Sequence, residues 1–311
     1  MDLIEVAAGL RFPEGPVAMP DGSVVVVEMF GARITRIWPD GAKETVAEVD
    51  GGPNGLAIGP DGALYVCNNG RCFTEVEVGE WLFPGPFDAA IYSGGRIQRV
   101  DLATGHVTDL YTECNGRPLR APNDLVFDAH GGMWITDHGI RDREARTSDL
   151  TSIYYALPDG SSIVEVVHPV ESPNGIGLSP DGTRLYWAET HNGRVMQRVV
   201  TGPGQVERPR PMDPAACLAG LTGLQLLDSL AVDGEGNVCV ATLLNGGITV
   251  ISPDGAHVEH RPTGDPMTTN ICFGDDPGGS GDYRTAFITL SSSGRLVKTA
   301  WPSRGLRLHN L

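Results

Sequence analysis

A short motif that recurs six times along the chain constrains the fold more than any other feature of the sequence. Each copy has one polar residue, an apolar run behind it, and a dipeptide ending in Gly that begins seven residues after the polar residue. The polar residues are Glu14, Asn54, Asn123, Asn174, Asp228 and Asn270. They recur every 40 to 69 residues. A unit of about this length, built from short strands and tight turns, is typical of a propeller blade.

The six copies predict an all-β fold, a six-bladed β-propeller that occupies residues 1–311 as a single domain. A closed ring is expected because a single blade cannot bury its own faces. Three clear strands follow Asn270, and the segment from Leu3 to Ala8 precedes the first copy as a fourth strand precedes others. We expect this N-terminal strand to complete the last blade, which removes two exposed sheet edges. Residues Arg304 to Leu311 are expected to form a surface tail.

The longest interval between copies, from Asn54 to Asn123, carries an aromatic-rich insertion over residues 71–92. Hairpin direction places this insertion on the same face as the polar residues of the motif. Long loops with their own apolar residues often serve as functional lids. We expect a lid, with Trp81 as a substrate contact; the alternative is a loop that only covers a blade edge.

Charge and composition exclude several classes of function. The formal net charge of −16 disfavours nucleic-acid binding, which needs Lys and Arg to neutralise phosphates. No apolar run approaches the roughly 20 residues of a membrane span, so no membrane partner is expected. The N-terminal residues lack the basic and apolar regions of a signal peptide, and the six cysteines show no paired spacing. These features predict a cytoplasmic location and reduced thiols.

The polar residues of the motif are expected to meet at the channel axis, because each one begins the inner strand of a blade. Turn chemistry explains Asn54 and Asn270 taken alone, but it does not explain Glu14 and Asp228 at the same phase. Carboxylates enclosed in a channel are costly unless they are paired or metal-bound. Two carboxylates with facing Asn carbonyls therefore predict a central site for a hard cation such as Ca²⁺, Mg²⁺ or Mn²⁺.

Several stretches of the chain, in order from about Leu10 to Gly294, resemble the senescence marker protein/gluconolactonase/luciferin-regenerating enzyme family. They are Phe12-Pro13-Glu14-Gly15-Pro16, Gly94 to Asp101, Pro122-Asn123-Asp124, Pro173-Asn174-Gly175, Leu185 to Thr190, and Asp228. The family is similar to diisopropylfluorophosphatase. The resemblance implies a six-bladed propeller with one divalent metal in its channel, with Ca²⁺ expected first and Zn²⁺, Mn²⁺ or Mg²⁺ as alternatives.

The resemblance also implies which residues form the site. Glu14, Asn174 and Asp228 are the implied metal ligands, while Asn123 matches a residue that binds metal in some members and substrate in others. The usual reaction of the family is lactone hydrolysis, in which the equivalent of Asp228 also acts as general base or nucleophile. Asn54 is expected to contact substrate.

One position departs from the pattern of the sugar lactonases in this family. Those enzymes carry an Arg two residues before the equivalent of Asn123, where it contacts substrate hydroxyls, whereas this chain has Ala121 there. The nearest Arg is Arg120, which is our expected substitute as a substrate contact. This departure and the aromatic insertion argue against a simple aldonolactone as substrate.

The sequence thus predicts a metal-dependent hydrolase of cyclic esters, in which the metal polarises the lactone carbonyl and Asp228 takes a proton from water. Hydrolysis of phosphotriesters or other esters on the same metal is one alternative. A non-catalytic propeller that serves as a binding scaffold is the other. Returning strands end on the site face near Glu28, Asn68, Asp137-His138 and Glu189, where Glu28 and Glu189 are candidates to orient ligand amides. His138 is either a proton shuttle or a structural residue.

Overall fold

Six antiparallel sheets arranged as the blades of a propeller make up the fold of this protein. The computed structural model describes residues 1–210, 212–275 and 281–311. Blade 1 consists of strands Pro13–Ala18, Val24–Glu28, Arg33–Ile37 and Lys43–Glu48. Blade 2 consists of Pro53–Ile58, Leu64–Asn68, Arg96–Val100 and Val107–Tyr111. Blade 3 consists of Pro122–Phe127, Met133–Asp137, Thr151–Ala156 and Ile163–Val170.

The remaining blades follow the same order from the inner strand outward. Blade 4 consists of Pro173–Leu178, Arg184–Glu189, Arg194–Gly202 and Cys217–Gly220, with the short strand Gln205–Val206 added to Arg194–Gly202. Blade 5 consists of Leu226–Val232, Val238–Leu243, Gly247–Ile251 and Val258–Pro262. Blade 6 consists of Thr268–Gly274, Thr285–Leu290, Arg295–Ala300 and the N-terminal Ile4–Ala7.

The smaller elements lie in the connections between these strands. They are the two-stranded pairs Glu75–Val78 with Trp81–Pro84, Glu113–Cys114 with Arg117–Pro118, and Arg141–Asp142 with Thr147–Ser148, and the 3-10 helix Pro214–Ala216. No helix among the described residues is long and apolar enough to cross a membrane.

The ring closes as the sequence predicts. Each inner strand contacts the inner strands of the two neighbouring blades, and blade 6 contacts blade 1. The N-terminal strand pairs with the third strand of blade 6, with Ile4 opposite Lys298 and Glu5 opposite Val297. Five of the six turn dipeptides lie in the described residues, whereas the sixth, Pro277-Gly278, lies outside them.

Buried apolar side chains fill the interfaces between blades. In the described part of the chain, each pair of adjacent blades shares one buried cluster, including the pair formed by blades 6 and 1. Between blades 1 and 2, for example, Val25 and Ile34 pack with Leu64 and Val66, none of which is exposed. These interfaces hold the six inner strands around a common axis, which positions their first residues together.

The C-terminal tail lies at the surface, where most of its residues are exposed, and it covers the end of the channel opposite the polar residues. Gly234 N–H donates to the Arg304 carbonyl at 2.7 Å, and Asn310 Nδ2 donates to the Ile58 carbonyl at 3.1 Å. Leu306 packs against the cluster of blades 4 and 5, and Leu311 against that of blades 1 and 2. A mostly apolar cavity of about 120 Å³ lies between the inner strands and this tail. The tail therefore shields apolar inner-strand residues from water.

Candidate active site

A β-bulge marks the polar residue of every motif copy. The pairing of inner and second strands shifts register between Glu14 and Val17 in blade 1, and across the polar residue in blades 2 to 5. In blade 6 the shift lies between Thr268 and Asn270. A bulge bends the strand and re-aims a side chain, which explains why the same phase of each repeat faces the axis. The turn interpretation of Asn54 and Asn270 is wrong, because both residues lie within strands.

Glycine follows the polar residue in three copies because neighbouring inner strands approach closely there. A Cβ atom on Gly55 would lie 2.5 Å from the Asn123 carbonyl oxygen, and one on Gly175 would lie 2.3 Å from the Leu230 nitrogen. Real Cβ atoms do not approach backbone so closely. The glycines thus allow the strands to pack tightly enough to converge on one axis.

The carboxyl groups of Glu14 and Asp228 come together in a buried environment. Glu14 is 2% exposed and Asp228 is 7% exposed. Burial, followed by repulsion from Asp228 and Asp124, raises the pKa of Glu14 well above its usual range. Burial is also the main cause that raises the pKa of Asp228 to about 7. A cation bound between two such acids would stabilise their carboxylate forms.

Three asparagines, Asn54, Asn123 and Asn174, are buried at the same phase of the repeat as Glu14 and Asp228. The Oδ1 atoms of Asn54 and Asn123 are buried without a hydrogen-bond partner. The amide of Asn174 is fixed differently, since its Nδ2 donates to Thr190 Oγ1 at 3.1 Å and its Oδ1 accepts from Ser229 at 3.5 Å. Unpaired buried acceptors are costly, and a cation or a donor on a ligand would satisfy them.

The donor set fits a hard divalent cation. In the described part of the chain no three or more His, Cys, Asp or Glu side chains form a group suited to hold a metal ion. A metal in this channel would therefore need amide oxygens beside the carboxylates of Glu14 and Asp228. Carboxylate and amide oxygens are the ligands that Ca²⁺, Mg²⁺ and Mn²⁺ prefer.

A third buried acid, Asp124, belongs to this site and escaped the sequence analysis. The residue is 7% exposed, and burial raises its pKa to about 7. Its Oδ1 accepts from the Leu125 N–H at 2.9 Å. The signal was present in Pro122-Asn123-Asp124, where Asp takes the place of the Gly that follows Asn54 and Asn174. Asp124 adds negative charge near Glu14 and Asp228 and so favours a bound cation.

Glu28, at the end of the second strand of blade 1, has a structural role. Its carboxylate accepts from the Arg11 N–H at 2.7 Å, from Arg33 Nε at 2.7 Å and from Thr35 Oγ1 at 2.6 Å. Burial alone would raise the pKa of Glu28, but the hydrogen bonds from Arg33, Thr35 and Arg11 outweigh burial and lower it. Glu28 thus holds the loop that leads into the first inner strand. It was predicted to orient a ligand amide, but its hydrogen bonds go to Arg11, Arg33 and Thr35 instead.

Equivalent positions in the other blades brace the same kind of loop. Asn68 Oδ1 accepts from the Gly52 N–H at 3.0 Å, and Asp137 accepts from the N–H groups of Arg120 and Ala121 at 2.7 Å. Glu189 instead accepts from Asn192 Nδ2 at 2.7 Å and from Trp187 Nε1 at 3.4 Å. Thr190, rather than Glu189, orients the amide of Asn174.

The expected substrate contacts occupy different surroundings. Arg120 is half-buried, and its guanidinium bonds to Asp149 at 2.8 Å. Ala121 is buried in an apolar cluster with Cys72 and Ile140. Trp81 is half-buried and lines a surface groove. Its neighbour Leu82 is buried in an apolar cluster with Met29 and Leu243. Substrate contact by Asn54, Asn123, Arg120 and Trp81 stays a prediction.

His138 is a buried, neutral imidazole at neutral pH. Its residue is 8% exposed, and burial, followed by the charge of Arg141, lowers its pKa to about 4. Its Nδ1 lies 3.2 Å from the Gly139 carbonyl, and its ring centroid lies 6.1 Å from that of Phe73 and 5.7 Å from that of His191. These contacts fix the ring beside the insertion.

The insertion over residues 71–92 lies on the face of the ring that carries the polar residues. Its hairpin is joined to blade 6, since Leu82 N–H donates to the Ser292 carbonyl at 3.0 Å and Ser292 Oγ donates to the Leu82 carbonyl at 2.8 Å. An ion pair between Arg11 and Glu75 adds a contact with blade 1. Its other end reaches blade 3, where Tyr92 OH donates to the Arg120 carbonyl at 2.5 Å.

The protein belongs to the SMP-30/Gluconolactonase/LRE-like family. The model of this family matches residues 12–292, which include all six polar residues of the motif. The family and the six-bladed fold confirm what the sequence motifs predicted, whereas the ligand roles of Glu14, Asn174 and Asp228 stay predictions.

Known relatives extend the match to particular proteins. A gluconolactonase of Zymomonas mobilis is 25% identical over 322 residues, which cover 94% of this chain and 80% of that enzyme. The structure of a gluconolactonase from Xanthomonas campestris superimposes with a TM-score of 0.72 at 23% identity, covering 96% of this chain and 89% of that one. A calcium-binding regucalcin from Agrobacterium tumefaciens gives a TM-score of 0.72 at 19% identity over 98% of both chains. The two structures share the propeller fold with this protein.

Proposed function

We propose that this protein is a lactone hydrolase that depends on one divalent metal ion, with Ca²⁺ the first candidate and Zn²⁺, Mn²⁺ or Mg²⁺ as alternatives. A small lactone would be its partner, and we propose that it binds neither nucleic acid nor membranes. We also propose that it is located in the cytoplasm. Relatives named gluconolactonase support lactone hydrolysis, and a relative named as calcium-binding supports the metal.

One observation carries the proposal. Glu14 and Asp228 converge in a buried channel beside the unpaired amide oxygens of Asn54 and Asn123. A scaffold protein gains nothing from such a costly set of oxygens, whereas a metal-dependent hydrolase requires one. Glu14, Asn174 and Asp228 would hold the ion, and Asn123 would either join them or contact substrate.

Each residue has a proposed task in hydrolysis. A bound divalent cation supplies Lewis acidity, which polarises the lactone carbonyl and stabilises the negative charge that develops on its oxygen. Asp228 accepts a proton from the attacking water. Asn174 contributes its amide oxygen to the ion site, and its hydrogen bond to Thr190 fixes the orientation of that amide. Glu14 contributes charge to the ion site. The ring opens when the carbonyl carbon gains the water oxygen, its bond to the ring oxygen breaks, and the departing ring oxygen takes up the proton that Asp228 accepted.

A substrate panel on metal-free and metal-loaded protein tests the proposal. The protein is stripped with a chelator and then assayed on lactones and a phosphotriester, with each of the four metals added in turn. We expect lactone hydrolysis that appears on metal addition and is absent from the Glu14→Gln, Asp228→Asn double variant. Phosphotriester hydrolysis without lactone hydrolysis would move the assignment to the other ester chemistry. If the double variant keeps both lactone and phosphotriester hydrolysis, the proposed site is wrong.

A further inference from the structure

The cavity at the far end of the channel, away from the insertion, has no role in the proposed reaction. Its volume is about 120 Å³, and the inner strands of all six blades contribute to its wall. Leu306, Leu308 and Leu311 of the C-terminal tail complete the wall on the outer side. An apolar cavity of about 150 Å³ stays dry and binds benzene or xenon. This cavity is therefore of the size that holds one small organic molecule.

The apolar side chains of the inner strands keep accessible surface that faces this cavity. Three of them are 6% to 7% exposed: Leu56, Val126 and Leu178. The residues paired with them on the second strands are 0% exposed: Val66, Trp134 and Leu185. The second strands lie farther from the axis and are nevertheless more completely buried. The residual exposure of the inner strands is thus directed into the cavity, whose wall includes all three of these residues.

Small residues at one phase of the repeat leave room at the axis. The third residue after the polar residue of each motif copy lines the cavity. Three blades have a small residue there: Ala57, Gly177 and Ala231. The other blades have larger ones: Val17, Val126 and Phe273. Ala231 is only half-buried although it belongs to an inner strand, so a larger side chain at this position would extend into the cavity.

The polar side chains in the wall already have partners or face solvent. Asp124 Oδ1 and Asn270 Oδ1 each accept from the N–H of the next residue, at 2.9 Å and 2.7 Å respectively. Ser179 Oγ donates to a neighbouring carboxylate at 2.6 Å. Arg307 and His309 of the tail are exposed to solvent. A buried water needs about two to four polar partners, so this wall favours an apolar occupant over water.

We propose that this cavity is a second ligand site, which takes one small, uncharged, apolar molecule with about the bulk of a benzene ring. The site is separate from the candidate active site and does not depend on the proposed function. An apolar ligand leaves water and enters a space that the fold has already formed. It also gains van der Waals contacts with wall atoms that otherwise have no neighbour on the cavity side.

Crystals of the full chain pressurised with xenon test the location of the site. Xenon is apolar and rich in electrons, so a bound atom is visible in the density. We expect xenon in the cavity, in contact with inner-strand residues such as Ala57 and Ala231 and with Leu306 of the tail. A cavity filled by ordered water, or closed by the tail side chains, with no xenon in it, overturns the proposal.

Thermal unfolding in the presence of benzene and of pyridine tests the class of ligand in solution. We expect benzene to raise Tm by about 2 °C at a tenfold excess over its dissociation constant. Pyridine has the same shape but carries a nitrogen that would lose its hydrogen bond to water, so it should bind at least about 10-fold more weakly. No rise with benzene, or equal binding of the two, overturns the proposed ligand class.

A matched pair of alanine variants connects the solution effect to the cavity. Ala231→Leu fills the cavity and should abolish the rise in Tm with benzene. Ala219→Leu changes another half-buried alanine, in the strand Cys217–Gly220 of blade 4 and outside the cavity, and should preserve the rise. A full benzene response in folded Ala231→Leu protein contradicts the site. If that variant does not fold, the xenon position and the comparison of benzene with pyridine in the parent decide.

Discussion

Glu14 and Asp228 occupy equivalent places in the repeat, yet we expect their contributions to differ. Pro13 precedes Glu14, whereas the fully buried Leu227 precedes Asp228 and breaks the Pro-Asn pattern. A carboxylate ligand accepts a proton from water only if its second oxygen stays free. We assign this task to Asp228 and assign Glu14 mainly to ion binding.

Isosteric amides at the two positions separate these tasks. Asp228→Asn keeps a ligand oxygen and removes basicity, so we expect a loss of about 10² to 10⁴ in kcat at saturating metal. Glu14→Gln removes a charge and should weaken metal binding more than it slows the loaded enzyme. Calorimetric metal titration and kcat are measured for both variants. Should metal-loaded Asp228→Asn remain within a few-fold of the parent, Asp228 is not the base.

The hydrogen bond from Asn174 to Thr190 gives a second test at the level of one residue. Thr190→Val removes the acceptor for Asn174 Nδ2 and leaves the side-chain shape unchanged. Loss of such an orienting group typically lowers metal affinity by about 10-fold to 100-fold. Thr201→Val, at an exposed position of the strand Arg194–Gly202, serves as the control. Equal metal affinity in the two variants would exclude Asn174 as an oriented ligand.

Stability should depend on pH through the buried acids. Asp228 has a pKa of about 7 in the folded state without metal, above the unfolded value near 4, so the folded state holds more protons between these values. Metal-free protein should therefore lose stability as pH rises from about 4 to 7. Because a metal ion binds the ionised acids, the stabilisation by Ca²⁺ should grow over the same range.

Melting temperatures with and without Ca²⁺ at pH 5 and pH 8 measure this dependence. The Glu14→Gln, Asp228→Asn double variant is the control, since both ligand carboxylates are absent. A Ca²⁺ shift of equal size at the two pH values in the parent would mean that these acids do not hold the ion.

At the level of structural elements, the bulged inner strands and the C-terminal tail determine which side chains line the two ends of the channel. The bulges turn six polar side chains to one end of the axis. The tail covers apolar residues at the other end, with Leu306 and Leu311 packed against opposite sides of the ring. The channel is thus polar at the site and apolar below it.

The tail should contribute measurably to stability. Leu306→Ala removes apolar contacts from a half-buried position, so we expect a loss of about 1 to 2 kcal/mol in the free energy of unfolding. Leu150→Ala is the matched control, because Leu150 is 61% exposed. Urea denaturation of both variants and the parent provides the comparison. Equal midpoints for Leu306→Ala and the parent would show that the tail adds no packing energy.

At the scale of the whole molecule, much of the ring could be predicted from local patterns. The phase of the polar residues and the hairpin turns define blades, and the missing strand of blade 6 indicates closure by the N-terminus. Asp124 was missed because the motif was interpreted as one polar residue per copy. The contacts of the tail and of Leu82 with Ser292 depend on residues far apart in the chain, which no local pattern encodes.

A crystal structure of protein purified without chelator, with elemental analysis of the same sample, tests the central claim most directly. We expect one divalent ion per chain, bound to oxygens of Glu14, Asn174 and Asp228, at about 2.3 to 2.6 Å if it is Ca²⁺. A protein that hydrolyses lactones at full rate with no ion in the channel, or with its ion bound elsewhere, would contradict the proposed site.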